Sequence, residues 1–307
     1  MILSLVFNQK GRLFPYNIWF NVVFVSESIT KYKNEVVNGE KIIDLNSYAH
    51  WVPNDLVKFL HEHEKAFDKL KEVAEDPRNE SYPLNKVHLL PPIKRPDKIL
   101  GIGLNYVDYC DENKLSYPKE PIVFSKFAST IIGPYDKIKY PTCSKAVDWE
   151  VELVVIMGKV ARNVKAEEAF NYVFGYTATQ DLTAKDWMTR NGGQFLLCKN
   201  MDHFCPLGPY IVTKDELSDP HNVNIRTWVN GDLKQNGNTR NLIFKIDKLI
   251  EHLSSVMTLL PGDIICTGTP AGVGSTRNPP EFLKPGDVLE TEVEGVGRLK
   301  NVVIDSY

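Results

Sequence analysis

Two glutamates two residues apart, Glu150 and Glu152 in VDWEVELVVIMGK, interrupt a run that otherwise reads as a buried strand. Side chains two apart on a strand leave the same face. That alternation aligns Asp148, Glu150 and Glu152 and continues their face as Val154 and Ile156. The pair is open to two readings: a charged strand end at the surface, or two carboxylates offered to a hard, oxygen-seeking cation. A third acid, Asp181 in FGYTATQDLTAKDW, falls where a β-type run gives way to a helix start. Locally it would favour a helix N-terminus, beside a capping box of Thr183 and Asp186. With Glu150 and Glu152 it would instead complete three anionic oxygens, a typical protein share for Mg2+ when water or substrate fills the octahedron.

Lys126 in IVFSKFAST and Lys199 in QFLLCKN stand in apolar surroundings. Each either snorkels to solvent or converges on a metal-bound substrate, holding a carboxylate or stabilising an oxyanion. The turn TGTPAGVG, 267–274, follows the strand-like DIIC and is either a plain tight turn or a set of backbone N–H groups facing an anion. It lacks the G-K-[ST] of a P-loop, and no helix follows as in a dinucleotide fingerprint. His61 and His63 lie two apart in a predicted helix and so on different faces, which gives no support to zinc.

The elements that must position these residues are short. Apolar residues at Leu56, Phe59, Leu60, Phe67, Leu70 and Val73 predict an amphipathic helix over Pro53 to Asp76, with Asn54 as N-cap. The prolines of 82–98 place a boundary between an N-terminal region, 1–92, and a larger domain, 93–307. Strand-like runs alternate there with Gly, Pro and Asp turns. Helical patterns appear at AEEAFNYV, TAKDWMTR and KIDKLIEHLSSVMTL. Their uneven spacing favours an α+β fold over a doubly wound sheet.

With 36 Lys+Arg against 39 Asp+Glu, the chain lacks the basic excess of a nucleic-acid binder. Five scattered cysteines without a C-x-x-C pair suggest a reducing, intracellular setting. The apolar stretch 17–25 is too short to span a bilayer, so no membrane role is expected. Residues 1–26 carry Lys10 and Arg12 but no acid, which suits a mitochondrial presequence as well as an ordinary edge strand in a cytoplasmic protein.

Seven segments, GIGLNYVDYCDEN, EPIVFSKFAST, VDWEVELVVIMGK, GYTATQDLTAKDW, CPLGPYIVT, VNGDLKQNGNT and PGDIICTGTPAGVG, resemble the fumarylacetoacetate hydrolase family in order and spacing. The likeness spans residues 93–303. NGEKIIDLNSYA, 38–49, is similar to the family's N-terminal region, with 13–36 an extension or variant inside it. The resemblance implies a mixed β-roll with short helices, and a homodimer. It implies that Glu150, Glu152 and Asp181 ligate Mg2+, with Ca2+ or Mn2+ as alternatives. It also implies that Lys126, Lys199 and Thr269 contact a small-molecule substrate or act as electrophiles beside the metal. The implied substrates are 2-oxo acids and acylpyruvate-like compounds, whose adjacent carboxylate and keto oxygens can chelate a cation.

One departure bears on the reaction. Hydrolytic members carry, after N-Y, a His followed three residues later by Glu on a short helix over the site; here Tyr109 stands at the His position and Glu112 remains in register. A tyrosine with a pKa near ~10 stays protonated and donates, where a histidine would take a proton from water. Oxaloacetate keto–enol tautomerisation or decarboxylation, which rest on enolate stabilisation, is therefore the expected activity. Acylpyruvate C–C hydrolysis is the alternative, and a metal-binding protein without catalysis a further one. Tyr109, Glu112, Lys126 and Lys199 are the candidates to move the proton.

Overall fold

A computed structural model of the chain describes residues 2–8, 21–25, 40–44, 50–51, 53, 55–63, 72, 76, 78, 81–83, 87–190 and 193–305. The N-terminal elements are β1 (Ile2–Asn8), β2 (Asn21–Val25), β3 (Glu40–Asp44), α1 (Leu56–His63), β4 (Ser81–Pro83) and β5 (Leu89–Leu90). There follow β6 (Ile99–Gly103), α2 (Val107–Glu112), β7 (Ile122–Lys126), β8 (Ile131–Ile132), β9 (Ile138–Tyr140), β10 (Val147–Asp148) and β11 (Val151–Met157). The middle of the chain supplies β12 (Val173–Gln180), β13 (Thr183–Ala184), α3 (Lys185–Met188), α4 (Phe195–Lys199) and β14 (Cys205–Thr213). The remainder is β15 (Asn224–Val229), β16 (Asp232–Asn238), α5 (Ile246–Val256), β17 (Ile264–Cys266), β18 (Val288–Val293) and β19 (Gly297–Asp305).

Among the described residues, twelve strands form one mixed sheet with the central order β14-β12-β11-β17-β6-β7. The N-terminal strands extend it through β2, where Val22 pairs with Ile211. A five-stranded sheet, β16-β15-β18-β19-β9, faces it. The inner faces meet through Leu153, Val155 and Tyr176 from one sheet and Ile225, Val293 and Leu299 from the other. Helix α5 covers this core with Leu249, Ile250 and Leu253. This is the expected mixed β-roll with short helices. Strand β11 is buried on both faces: Val154 and Ile156 point the other way, under Leu56, Phe59 and Leu60 of α1. That double burial explains its continuous apolar run.

The geometry differs from the sequence reading in three places. The continuous strand expected across 147–159 breaks at Trp149 and Glu150, so Glu150 is not a ladder residue. Two glutamine side chains replace the missing backbone acceptors. Gln180 Oε1 takes the Glu150 N–H at 2.7 Å, and Gln235 Oε1 takes the Val151 N–H at 3.0 Å. The capping box of Thr183 and Asp186 does not form. Thr183 Oγ1 turns to Glu150 Oε1 at 3.0 Å, and Asp186 accepts from Ser144 Oγ at 2.6 Å. AEEAFNYV folds as a 3₁₀ segment, Ala166–Tyr172, rather than an α-helix. Asn54 lies outside the described residues, as does most of 64–75; the α1 N-terminus is capped by Asp55, whose Oδ1 accepts from the Lys58 N–H at 2.9 Å.

Candidate metal centre and active site

The three acids singled out above meet at one end of the roll. Glu150 lies just ahead of β11, Glu152 lies within it, and Asp181 follows the antiparallel neighbour β12. The Asp181 N–H donates to the Glu150 carbonyl at 2.8 Å, which fixes the two side chains on the same side of the strand ends. One ligand atom from each carboxylate lies within 4.8 Å of the others, and all three residues are buried. Burying three carboxylates together is unfavourable without compensating positive charge.

That compensation is partial. Lys199 donates to Glu150 Oε2 at 2.7 Å and also to Asp181 Oδ2. Lys126 Nζ lies 2.8 Å from Asp181 Oδ1, and Lys185 Nζ 2.6 Å from Glu150 Oε1. Burial raises the Glu150 carboxyl, but Lys185 and Lys199 outweigh it and hold it down at about 2. For Glu152 the balance is reversed: burial first, then the Asp181 charge, push its carboxyl well up and outweigh the Lys199 charge. Its Oε2 accepts from the Gly268 N–H at 2.7 Å. Gly268 has φ +106°, and a Cβ there would sit 2.9 Å from the Asn105 Cβ, so only glycine brings that N–H to the carboxylate. The cluster, with Asp148 behind it, sets four acids against three lysines. An oxygen-lined, under-compensated pocket of this kind suits a hard divalent cation, and Glu150, Glu152 and Asp181 are the residues that would hold it.

The acids open onto a cavity of about 170 Å³ lined also by Tyr109, Lys185, Lys199 and Thr269, with Phe124 and Phe195 among its apolar walls. Tyr109 faces it from α2, and burial raises the Tyr109 phenol further above its ordinary value. Thr269 Oγ1 accepts from Gln235 Nε2 at 2.8 Å. Lys126 lies behind Asp181, with its ammonium 2.5 Å from the Lys199 carbonyl, and does not line the cavity. Glu112 also lies outside the lining; its carboxylate is bound to the 267–276 loop. The larger cleft, about 340 Å³ between Phe59, Phe174 and Lys214, is remote from these acids and lined by none of them.

Two features escaped the sequence. Lys185 reads as a polar residue of a short helix, yet it reaches Glu150 and stands 3.8 Å from Asp148. The loop 267–276 does face anions, but they are the protein's own: besides Gly268 holding Glu152, the N–H groups of Gly274 and Ser275 donate to Asp148 at 2.6 and 2.9 Å. Asp148 therefore anchors the loop, while Glu150 and Glu152 turn to the cavity.

A mixed β-roll carrying three convergent carboxylates and a set of lysines at one end defines a protein built around an oxygen-ligand site beside a small-molecule cavity. The chain belongs to the fumarylacetoacetate hydrolase family: residues 98–304 match the family described as fumarylacetoacetate (FAA) hydrolase C-terminal. It is 49% identical over 271 residues to "Oxaloacetate tautomerase fahd2, mitochondrial" of Xenopus laevis, covering 88% of this chain and 85% of the relative. Among solved structures it resembles the fumarylacetoacetate hydrolase of Exiguobacterium antarcticum, with a TM-score of 0.77, 31% identity, and 99% and 100% of the two chains covered. It also resembles maleylpyruvate hydrolase from Sphingobium sp. SYK-6 in complex with manganese(II) ion and pyruvate, with a TM-score of 0.74, 29% identity, and 99% and 100% covered.

Proposed function

We propose that the chain is a metal-dependent oxaloacetate keto–enol tautomerase whose catalytic unit is residues 93–307. The observation that carries this reading is the convergence of Glu150, Glu152, Asp181, Lys199 and Tyr109 on one small cavity. The name of the Xenopus relative, at 49% identity, supports the substrate. Glu150, Glu152 and Asp181 would hold a divalent cation, Mg2+ in the first instance, which supplies Lewis acidity toward the oxygen of a chelating 2-oxo acid. Manganese in the Sphingobium structure supports a divalent ion without deciding which one.

The chain's own groups account for the rest. Lys199, which the neighbouring carboxylates keep protonated against the effect of burial, offers positive charge at the cavity wall where the 2-oxo oxygen becomes negative. Thr269 also lines the cavity, where its hydroxyl would orient the substrate. Lys126 holds Asp181 in place from behind. In the enol-to-keto direction the enol O–H proton passes to solvent, and Tyr109, a protonated donor at neutral pH, delivers a proton to the carbon and recovers one from solvent. No activated water is consumed, so the reaction tolerates tyrosine at position 109 where a hydrolytic dyad would need a base. The family's usual homodimer and the mitochondrial address in the relative's name belong to the same proposal. Among the described residues, no helix is long and apolar enough to cross a membrane.

The test is to mix purified protein and Mg2+ with enol-oxaloacetate and record enol loss and CO2 release separately, with an acylpyruvate in parallel. Fast enol loss without matching CO2 supports the tautomerase. Matched CO2 release makes it a decarboxylase, acylpyruvate cleavage a hydrolase, and no turnover of any substrate removes the enzyme reading.

A further inference from the structure

Helix α2 carries Tyr109 into the cavity and is fastened at both ends to the loop that also holds Glu152. Before its first turn, Asn105 Nδ2 donates to the Thr267 carbonyl at 2.7 Å and to the Phe244 carbonyl at 3.1 Å, while its Oδ1 accepts from the Phe244 N–H at 2.8 Å. In the first turn, Asn241 and the Ala271 backbone lie close to the Asp108 carboxylate and partly offset the burial that raises its pKa. At the last residue, Glu112 Oε2 accepts from the Gly272 N–H at 3.1 Å. Thr276 Oγ1 lies 3.0 Å from the same oxygen and 3.0 Å from the Val273 carbonyl, so its one proton is shared between them.

The wall to which Glu112 is tied is itself rigid. The Gly272 carbonyl accepts from the buried Trp149 indole N–H at 3.1 Å. A Cβ on Gly272 would sit 2.3 Å from the Lys234 carbonyl oxygen, so the loop backbone is pressed directly onto β16. Behind it, Gly274 and Ser275 are held by Asp148. Glu112 is exposed and absent from the cavity lining, whereas Tyr109, one helical turn earlier, lines it. A group so placed cannot exchange a proton with a substrate in the cavity without leaving its partners.

We propose that Glu112 is a positioning residue: its carboxylate latches the end of α2 to the Gly272–Thr276 segment and thereby keeps Tyr109 in the cavity it shares with Glu150 and Lys199. The catalytic consequence rests on the tautomerase reading; the latch itself does not. A hydrogen-bond acceptor is all the role requires, so a neutral amide suffices where a proton carrier would need a carboxylate.

Glu112→Gln, Glu112→Ala and Thr276→Val separate the two roles. Cys110 supplies a reporter independent of activity: it lies in α2 with its side chain fully buried, so its alkylation requires the helix to open. Labelling with iodoacetamide, read at the Cys110 peptide by mass spectrometry because Cys143 is exposed, is expected to accelerate ~10-fold in Glu112→Ala. It should accelerate less in Thr276→Val and stay near the wild-type rate in Glu112→Gln. In the enol-oxaloacetate assay, Glu112→Gln is expected to retain kcat within about threefold, and Glu112→Ala to lose on the order of 10²-fold in kcat with less change in KM. Equal loss of kcat in Glu112→Gln and Glu112→Ala would overturn the proposal, as would unchanged Cys110 labelling in Glu112→Ala. If wild-type protein turns over no substrate, the tautomerase reading fails, and the labelling series still decides the latch.

Discussion

Lys199 donates to Glu150 Oε2 at 2.7 Å and to Asp181 Oδ2, so one ammonium binds two of the three carboxylates assigned to a cation. Lysine and metal thus draw on the same oxygens, and their competition can be measured. Lys199→Gln removes the internal cation and leaves the acids under greater mutual repulsion. The metal-free variant is expected to lose ~3–5 kcal/mol of stability, as when one partner of a buried ion pair is removed, and to recover much of it on adding Mg2+. Calorimetric titration should show Mg2+ binding at least as tightly as in the wild type, while enol-oxaloacetate turnover falls on the order of 10²-fold. Weaker metal binding with unaffected turnover would contradict these roles.

The support beneath Lys199 is also open to test. Gly101 on β6 pairs directly with Phe124 on β7, and the phenyl ring lies across the position where a side chain would be. An added Cβ would meet Phe124 Cζ at 2.2 Å. That ring lies 4.7 Å below Lys199 Nζ and stacks on Phe195 at 5.4 Å. Gly101→Ala should therefore destabilise the fold by ~1–3 kcal/mol through overpacking, read as a lower denaturation midpoint. Gly103→Ala on the same strand, whose nearest contact would be an ordinary 3.6 Å, should cost clearly less. Equal effects at the two positions would show that the ring is free to move.

How much of this was legible beforehand follows from the range of the interactions. Glu150, Glu152 and Asp181 could be grouped because a two-residue spacing and an acid at a strand end are local signals. The bend that frees Glu150 from the ladder depends on Gln180 and Gln235, whose side chains arrive from distant segments and leave no periodic trace. Lys185 was hidden for a similar reason. Its place at the start of a short polar helix says nothing of the two buried acids it reaches. The expected capping box failed because Thr183 and Asp186 found tertiary partners stronger than the helix end. The roll itself was foreshadowed by short strands with unevenly placed helices, together with the family resemblance; the register of its two sheets was not.

A pH dependence of stability is expected from His221. Its Nε2 accepts from the Ile246 N–H at 3.0 Å, at the start of α5, a role only the neutral ring can fill. Burial first, then the Lys245 charge, hold its pKa below the ordinary histidine value. The unfolded chain therefore binds this proton more readily than the folded one. The contribution is intact above about pH 6.5 and is lost as pH falls through the folded-state value. His221→Gln should cost ~1 kcal/mol at neutral pH, as for a lost helix cap, and should flatten the decline in melting temperature below about pH 6.5. An unchanged slope would assign that decline to other groups.

The central claim, that Glu150, Glu152 and Asp181 hold a cation that drives ketonisation of oxaloacetate, is tested most directly by the initial rate of enol-oxaloacetate loss catalysed by chelator-stripped protein before and after Mg2+ is returned. The predicted result is a rate near the uncatalysed background without metal, restoration with Mg2+ in the wild type, and no restoration in Asp181→Ala. Full activity in the stripped protein, or equal restoration in Asp181→Ala, would contradict it.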